Sequence, residues 1–182
     1  MATTITQVQL SPKQAATQAA RLAQVRPELA AAYSVALGRW MGDPKLMLLG
    51  LPIITQGYRN PATQNAMFAQ GRQPLAEVNR LRALAGMAPF DASKPKAVVE
   101  AGLVITYKRG GQSNHNRLPS WALDVAHLQA DGSVKWDNAA LLLFSRLMRA
   151  ADVRVTWGGD WDRDGQTADE TFHDWPHFEL VG

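Results

Sequence analysis

The 182-residue chain contains no cysteine. Disulfide staples, thiolate metal sites and cysteine nucleophiles are therefore excluded, and any bound metal has to be held by histidine and carboxylate side chains. Histidine is itself scarce, with four residues at positions 115, 127, 173 and 177. No apolar run is long enough to span a bilayer, so stable membrane association is not expected. The stretch from Met1 to Lys13 also lacks the basic start and continuous apolar core of a signal peptide, which predicts a chain made in the cytoplasm. Dense Lys/Arg runs, cysteine fingers and aromatic RNA-binding motifs are missing too, so nucleic acid is not an expected partner despite the net charge of +3.

What is present suits one globular domain spanning residues 1–182, monomeric by default, with no repeat or Gly/Ser linker to divide it. Residues 1–45 form a helical N-terminal part. Within it, Ser11 and Pro12 resemble an N-cap and first helical position, and Pro27 splits the Ala- and Leu-rich stretch up to Trp40 into two helices. Leu48 to Thr55 reads as a short strand interrupted by Pro52, and Asn60 with Pro61 starts a helix that runs to about Gln70. Residues 73–100 have mixed character, with a short helix over Ala76 to Ala85 and a loop punctuated by Gly86, Pro89 and Pro95, as expected of a variable insertion. Val104 to Tyr107, Trp121 to Ala126, Val153 to Trp157 and Phe178 to Val181 are β-prone, and Ala139 to Ala150 has the spacing of an amphipathic helix. The predicted class is α+β: N-terminal helices with a small, mainly antiparallel sheet.

Two stretches concentrate chemistry. The first runs from Ser113 to Asp124, where a loop carrying His115 turns at Pro119 into a strand carrying Asp124. The second is His173-Asp174-Trp175-Pro176-His177-Phe178-Glu179, in which Pro176 prevents a helix and His177 opens the last strand. Each alone also suits an ordinary structural pair. Two imidazoles and one carboxylate, His115, His177 and Asp124, would hold a tetrahedral Zn2+ with one position left open for water, as in a catalytic site. A further carboxylate must then take a proton from that water and pass it to the leaving amine, and Asp174 is the candidate.

With Gln56-Gly57-Tyr58-Arg59 and Gln64, then Ser113-x-His115 followed by Ala122-x-Asp124, then Asp174-x-x-His177-Phe178-Glu179, the sequence resembles the VanY-type zinc D-Ala-D-Ala carboxypeptidases over about Ile53 to Leu180. It is most similar to their phage relatives, the L-alanyl-D-glutamate endopeptidases that act as endolysins. The resemblance implies zinc on His115, Asp124 and His177, Asp174 as catalytic base, Arg59 on the substrate or the developing oxyanion, and Gln64 and Ser113 as substrate-positioning residues. It also implies a bacteriolytic hydrolase whose partner is the peptidoglycan stem peptide, released to the wall from the host cytoplasm through a holin. The link from His115 to Asp124, with Leu118-Pro119-Ser120-Trp121, departs from the shorter Gly-containing link of the commoner pattern and looks phage-like. Two rival readings stand beside this one: a D-Ala-D-Ala carboxypeptidase or dipeptidase of the same family, and a zinc-containing binding module without catalysis.

A second candidate cofactor is Ca2+. Asp160, Asp162 and Asp164 alternate ahead of Gly165 like the first half of an EF-hand loop, with Asp169 as a further ligand candidate, although Thr171 stands where that loop requires a bidentate Glu. His127 reads as a satisfied structural or surface residue, and His173 as a residue supporting Asp174 or lying on the surface. Trp157, Trp161 and Trp175 fall near the proposed site, with core packing the expectation for Trp157.

Overall fold

The computed structural model describes residues 8–181; the extreme N-terminus, on which part of the expectation about a signal peptide rests, lies outside them. The fold is α+β, as the sequence predicts. Contacts divide the chain into two compact units, one comprising the chain up to Tyr58 together with everything from Leu118 onward, the other Arg59–Arg117.

The first unit is built on a five-stranded sheet. Its strands are β1 (Leu51–Gln56), β2 (Ala122–Leu128), β3 (Val134–Lys135), β4 (Val155–Trp157) and β5 (His177–Leu180). All pairings are antiparallel in the order β1-β2-β5-β4, with β3 also pairing with the end of β2. Its helices are α1 (Pro12–Leu22), α2 (Pro27–Met41), the single-turn α3 (Pro44–Met47) and α7 (Asn138–Ala151).

Local chemistry sets these boundaries. Ser11 and Gln14 form a reciprocal capping box at α1, Pro27 occupies the first position of α2, and the Asp137 carboxylate accepts the Ala140 N–H at 2.9 Å to open α7. Leu29, Tyr33, Ala36 and Trp40 recur at three- and four-residue spacing along α2, as do Leu141, Phe144 and Met148 along α7. These stripes bury against Leu123, Val125, Phe178 and Leu180 of the sheet. Phe144 touches Tyr33, Trp40 and Phe178 edge-on at ring separations of 5.7 to 6.0 Å. Truncating such a ring to alanine costs about 3–5 kcal/mol, so this cluster dominates the stability of the unit. The polar tips of its large rings are satisfied by backbone: Tyr33 donates to the Pro52 carbonyl and Trp40 to that of Gly50.

Side chains alternate across a strand, so with Leu123, Val125, Phe178 and Leu180 committed to the helices, Asp124, His177 and Glu179 must emerge on the opposite face. The core thus decides which residues the sheet offers for chemistry.

In the Arg59–Arg117 unit, Asn60 caps α4 (Pro61–Ala69), followed by α5 (Leu75–Leu84) and α6 (Pro95–Ala101) around a small core of Ala69, Val78, Phe90 and Ala101. Two expectations are corrected here. Pro95 does not punctuate a loop but takes the first position of α6. Val104 to Tyr107 joins no strand: a β-prone run needs an edge to pair with, and the Gln64 amide instead takes the Thr106 hydroxyl and the Lys108 carbonyl.

Candidate functional site

β2 and β5 pair with Asp124 directly opposite His177, and Ala122 opposite Glu179. His177 Nδ1 lies 3.3 Å from Asp124 Oδ1, and its Nε2 lies 2.9 Å from Glu179 Oε2. Burial by itself disfavours a charged ring, yet hydrogen bonds to Asp124 and Glu179, with the charges of Asp124 and Asp174, outweigh it and raise the His177 pKa to about 10. A ring wedged between carboxylates calls for positive charge at this point, which a proton supplies in one state and a divalent cation can supply in another. The nitrogen and oxygen donors also match the chemistry of a borderline cation such as zinc.

Glu179 has no assigned role in the sequence reading. Its signal was available: residues two apart on a strand share a face, so a glutamate after His-x necessarily meets the histidine ring. Carboxylates in that position fix the tautomer and orientation of ligating histidines.

Asp174 is held by its backbone. Its N–H donates to the Gly158 carbonyl at 2.7 Å, its carbonyl accepts from His177 N–H at 2.9 Å, and the Gly158 N–H donates back to the His177 carbonyl at 2.8 Å. A Cβ at residue 158 would lie 2.2 Å from the Asp174 carbonyl oxygen, so only glycine permits this approach. Trp157, buried as expected, donates from Nε1 to the Trp175 carbonyl and packs edge-on against that ring.

His173 stacks on Trp175 at 4.6 Å and places Nε2 2.7 Å from the Thr167 carbonyl. His127 is fully buried between Trp40 and Phe144. It is structural, but the expectation that it is satisfied is corrected: neither ring nitrogen has a hydrogen-bond partner among the described residues, and desolvation lowers its pKa to about 4.

The acidic segment clusters in two overlapping groups, Asp160 with Asp162 and Glu170, and Asp162 with Asp164 and Asp169, with carboxylate oxygens within 4.8 Å in each. Asp160 is buried and bound by Arg149 at 2.6 Å. Glu170, one residue before the Thr171 that stands in the EF-hand glutamate position, accepts the backbone N–H groups of Trp161 and Asp162.

In the Arg59–Arg117 unit, His115 is buried in a short 3-10 turn, residues 114–116, capped by Ser113, whose hydroxyl accepts the His115 N–H. Arg59 is bound to this turn twice, through Arg59 N–H to the His115 carbonyl at 2.8 Å and Asn116 Nδ2 to the Arg59 carbonyl at 2.7 Å. Gln64 is buried, with Oε1 accepting from Arg59 Nη1 at 3.0 Å and Nε2 donating to Thr106 and Lys108. Its amide is thus engaged in holding the Arg59 guanidinium, and Ser113 in shaping the His115 turn.

These features define a class: an α+β protein whose small antiparallel sheet presents a histidine between carboxylates, with a backbone-locked aspartate beside it and no thiolate anywhere in the chain. No family model matches the chain. Among curated proteins it is similar to the peptidoglycan L-alanyl-D-glutamate endopeptidase CwlK of Bacillus subtilis (strain 168), 28% identical over 136 residues, which is 71% of this chain and 60% of that protein. Among solved structures it is similar to the L-Ala D-Glu endopeptidase ChiX of Serratia marcescens, with a TM-score of 0.50 and 20% identity over 98% of this chain and 93% of that one, a likeness of fold. The sequence match to CwlK bears out the resemblance to the peptidase family that contains the L-alanyl-D-glutamate endopeptidases.

Proposed function

We propose that the chain is a zinc-dependent peptidoglycan peptidase that hydrolyses the L-alanyl-D-glutamate bond of the stem peptide. The observation that carries this reading is the His177 ring held between Asp124 and Glu179 beside Asp174, in a chain similar to an endopeptidase of that specificity. His115, Asp124 and His177 could hold a metal ion and are the residues proposed for zinc. When bound, zinc supplies Lewis acidity that activates water and polarises a carbonyl.

The chain's own residues have the remaining tasks. Asp174 takes the proton of the attacking water and returns it to the leaving amine, and its locked backbone limits the motion of its carboxylate. Arg59 pairs with a substrate carboxylate or with charge growing on the scissile carbonyl oxygen, oriented by Gln64. Glu179 orients His177. Ser113 contributes to substrate positioning through the turn that carries His115.

The proposal extends to an endolysin. Holin-dependent passage to the wall is part of that proposal; no helix among the described residues is long and apolar enough to cross a membrane. Ca2+ is proposed as a second cofactor on Asp160, Asp162, Asp164 and Asp169, and titration of activity with calcium tests that part.

The deciding experiment is digestion of purified peptidoglycan with mass spectrometry of the fragments, comparing wild type, chelated protein and Asp174→Ala. New L-alanine C-termini and D-glutamate N-termini from wild type alone support the reading. Release of D-alanine replaces it with the carboxypeptidase reading, and metal-bound protein without products replaces it with the binding module.

A further inference from the structure

The charge of this chain is unevenly distributed. Arg59–Arg117 carries nine Lys and Arg against Glu77, Asp91 and Glu100, a formal charge of +6, whereas the remainder of the chain sums to −3. The three acids are already matched. Glu77 is held by Arg80 at 2.8 Å, Asp91 by Lys94 at 3.3 Å, and the charge of Glu100 is felt by Arg82. Arg72, Lys108 and Arg109 have no carboxylate partner among the described residues.

Two of these cations, Arg72 and Arg109, are gathered on aromatic supports, and Lys108 precedes Arg109 in the chain. The Arg72 and Arg109 guanidinium groups lie 4.1 and 4.9 Å from the centre of the Phe68 ring, and Arg72 also lies 5.5 Å from that of Tyr107, which is exposed. A guanidinium resting on a ring loses little further rotamer freedom on binding; Arg72 Nη1 donates to the Phe68 carbonyl at 2.7 Å, which holds that group in place and leaves its other N–H groups to meet an acceptor. Lys108 stands between Tyr107 and Arg109, and its carbonyl accepts from the same Gln64 amide that holds Arg59. The cluster is therefore continuous with the residue proposed to meet substrate.

We propose that Arg72 and Arg109, mounted on Phe68 and Tyr107 and joined by the neighbouring Lys108, form a docking face for the carboxylate-rich glycopeptide network of the cell wall. The inference rests on the peptidoglycan reading above and adds to it a surface that engages the polymer away from the bond to be cut. Wall stem peptides repeat free carboxylates, and two guanidinium groups sharing one ring gain from binding more than one of them at once.

The test is co-sedimentation of the full-length protein with purified peptidoglycan stripped of phosphodiester polymers, in chelator and across a NaCl series. Wild type should pellet at low salt and be released as salt rises. Arg72→Gln with Arg109→Gln should bind at least ten-fold more weakly, whereas Arg72→Lys with Arg109→Lys, which keeps the charge but not the planar fork, should bind more tightly than the Gln variant and more weakly than wild type. Amidating the wall carboxylates should abolish wild-type binding. Undiminished pelleting by the Gln double variant, or on amidated wall, overturns the proposal. So does a preference for unstripped wall or for DNA, which would assign the face to phosphodiesters. Cleavage of a short soluble stem peptide by wild type is measured in parallel: cleavage without salt-sensitive pelleting sinks the docking face alone, and pelleting without cleavage sinks the peptidase reading alone.

Discussion

His177 stands directly across the sheet from Asp124, its Nδ1 3.3 Å from the carboxylate oxygen Oδ1, and both side chains leave the face opposite the aromatic core. In metal-free protein this pairing stabilises the protonated ring, so the site stores a proton that a cation has to displace.

Metal binding near pH 7.5 should consequently release about one proton, the His177 proton. Isothermal titration of Zn2+ in buffers of different ionisation enthalpy measures it, and a heat that does not vary with buffer contradicts the raised pKa. Because the folded pKa is raised, to about 10 from an ordinary 6.5, its contribution to metal-free stability is complete below pH 6.5 and is lost as pH rises through 10. Thermal melting of the chelated protein should decline across that window.

Glu179→Gln removes the carboxylate 2.9 Å from His177 Nε2 while preserving its size. Zinc affinity, read by competition with a chelating dye, should fall by about 10–100-fold, with the fold retained. An unchanged affinity would mean that Glu179 does not orient the ring.

Gly158→Ala forces a methyl group against the Asp174 carbonyl. The expected result is a loss of about 1–3 kcal/mol in denaturant unfolding, together with a fall in turnover as Asp174 is displaced. Full stability and activity in this variant would show that the backbone yields without cost.

His127 sets an acid limit. Its folded pKa is lowered to about 4, so above pH 6.5 it contributes nothing, and as pH falls from 6.5 towards 4 the unfolded chain binds a proton that the native ring refuses. Up to about 3 kcal/mol is lost across that interval. His127→Phe should flatten this part of the stability profile, and an identical slope in the variant would assign the acid sensitivity elsewhere.

Much of the sheet's chemistry is legible without coordinates. Pro176 rules out a helix before His177, and strand alternation then places His177 and Glu179 on one face, so the contact between them is written in the sequence. Gln64 is different. Its place one turn into α4 is written by Asn60 and Pro61, but that its amide would be buried and divided among Arg59, Thr106 and Lys108 depends on a loop more than forty residues away. The same dependence explains the strand wrongly expected at Val104 to Tyr107: local preference is outweighed where no edge is available to pair with.

Composition alone limits which atoms can do chemistry here, since a chain without cysteine and with four histidines leaves few donors, and local residues set the helix starts, through proline and capping side chains within four positions. The tuning of those groups comes from packing instead. A buried histidine becomes basic beside Asp124 and Glu179 and acidic between Trp40 and Phe144, because the pKa of a ring is fixed by the charges and solvent that folding brings to it or takes away.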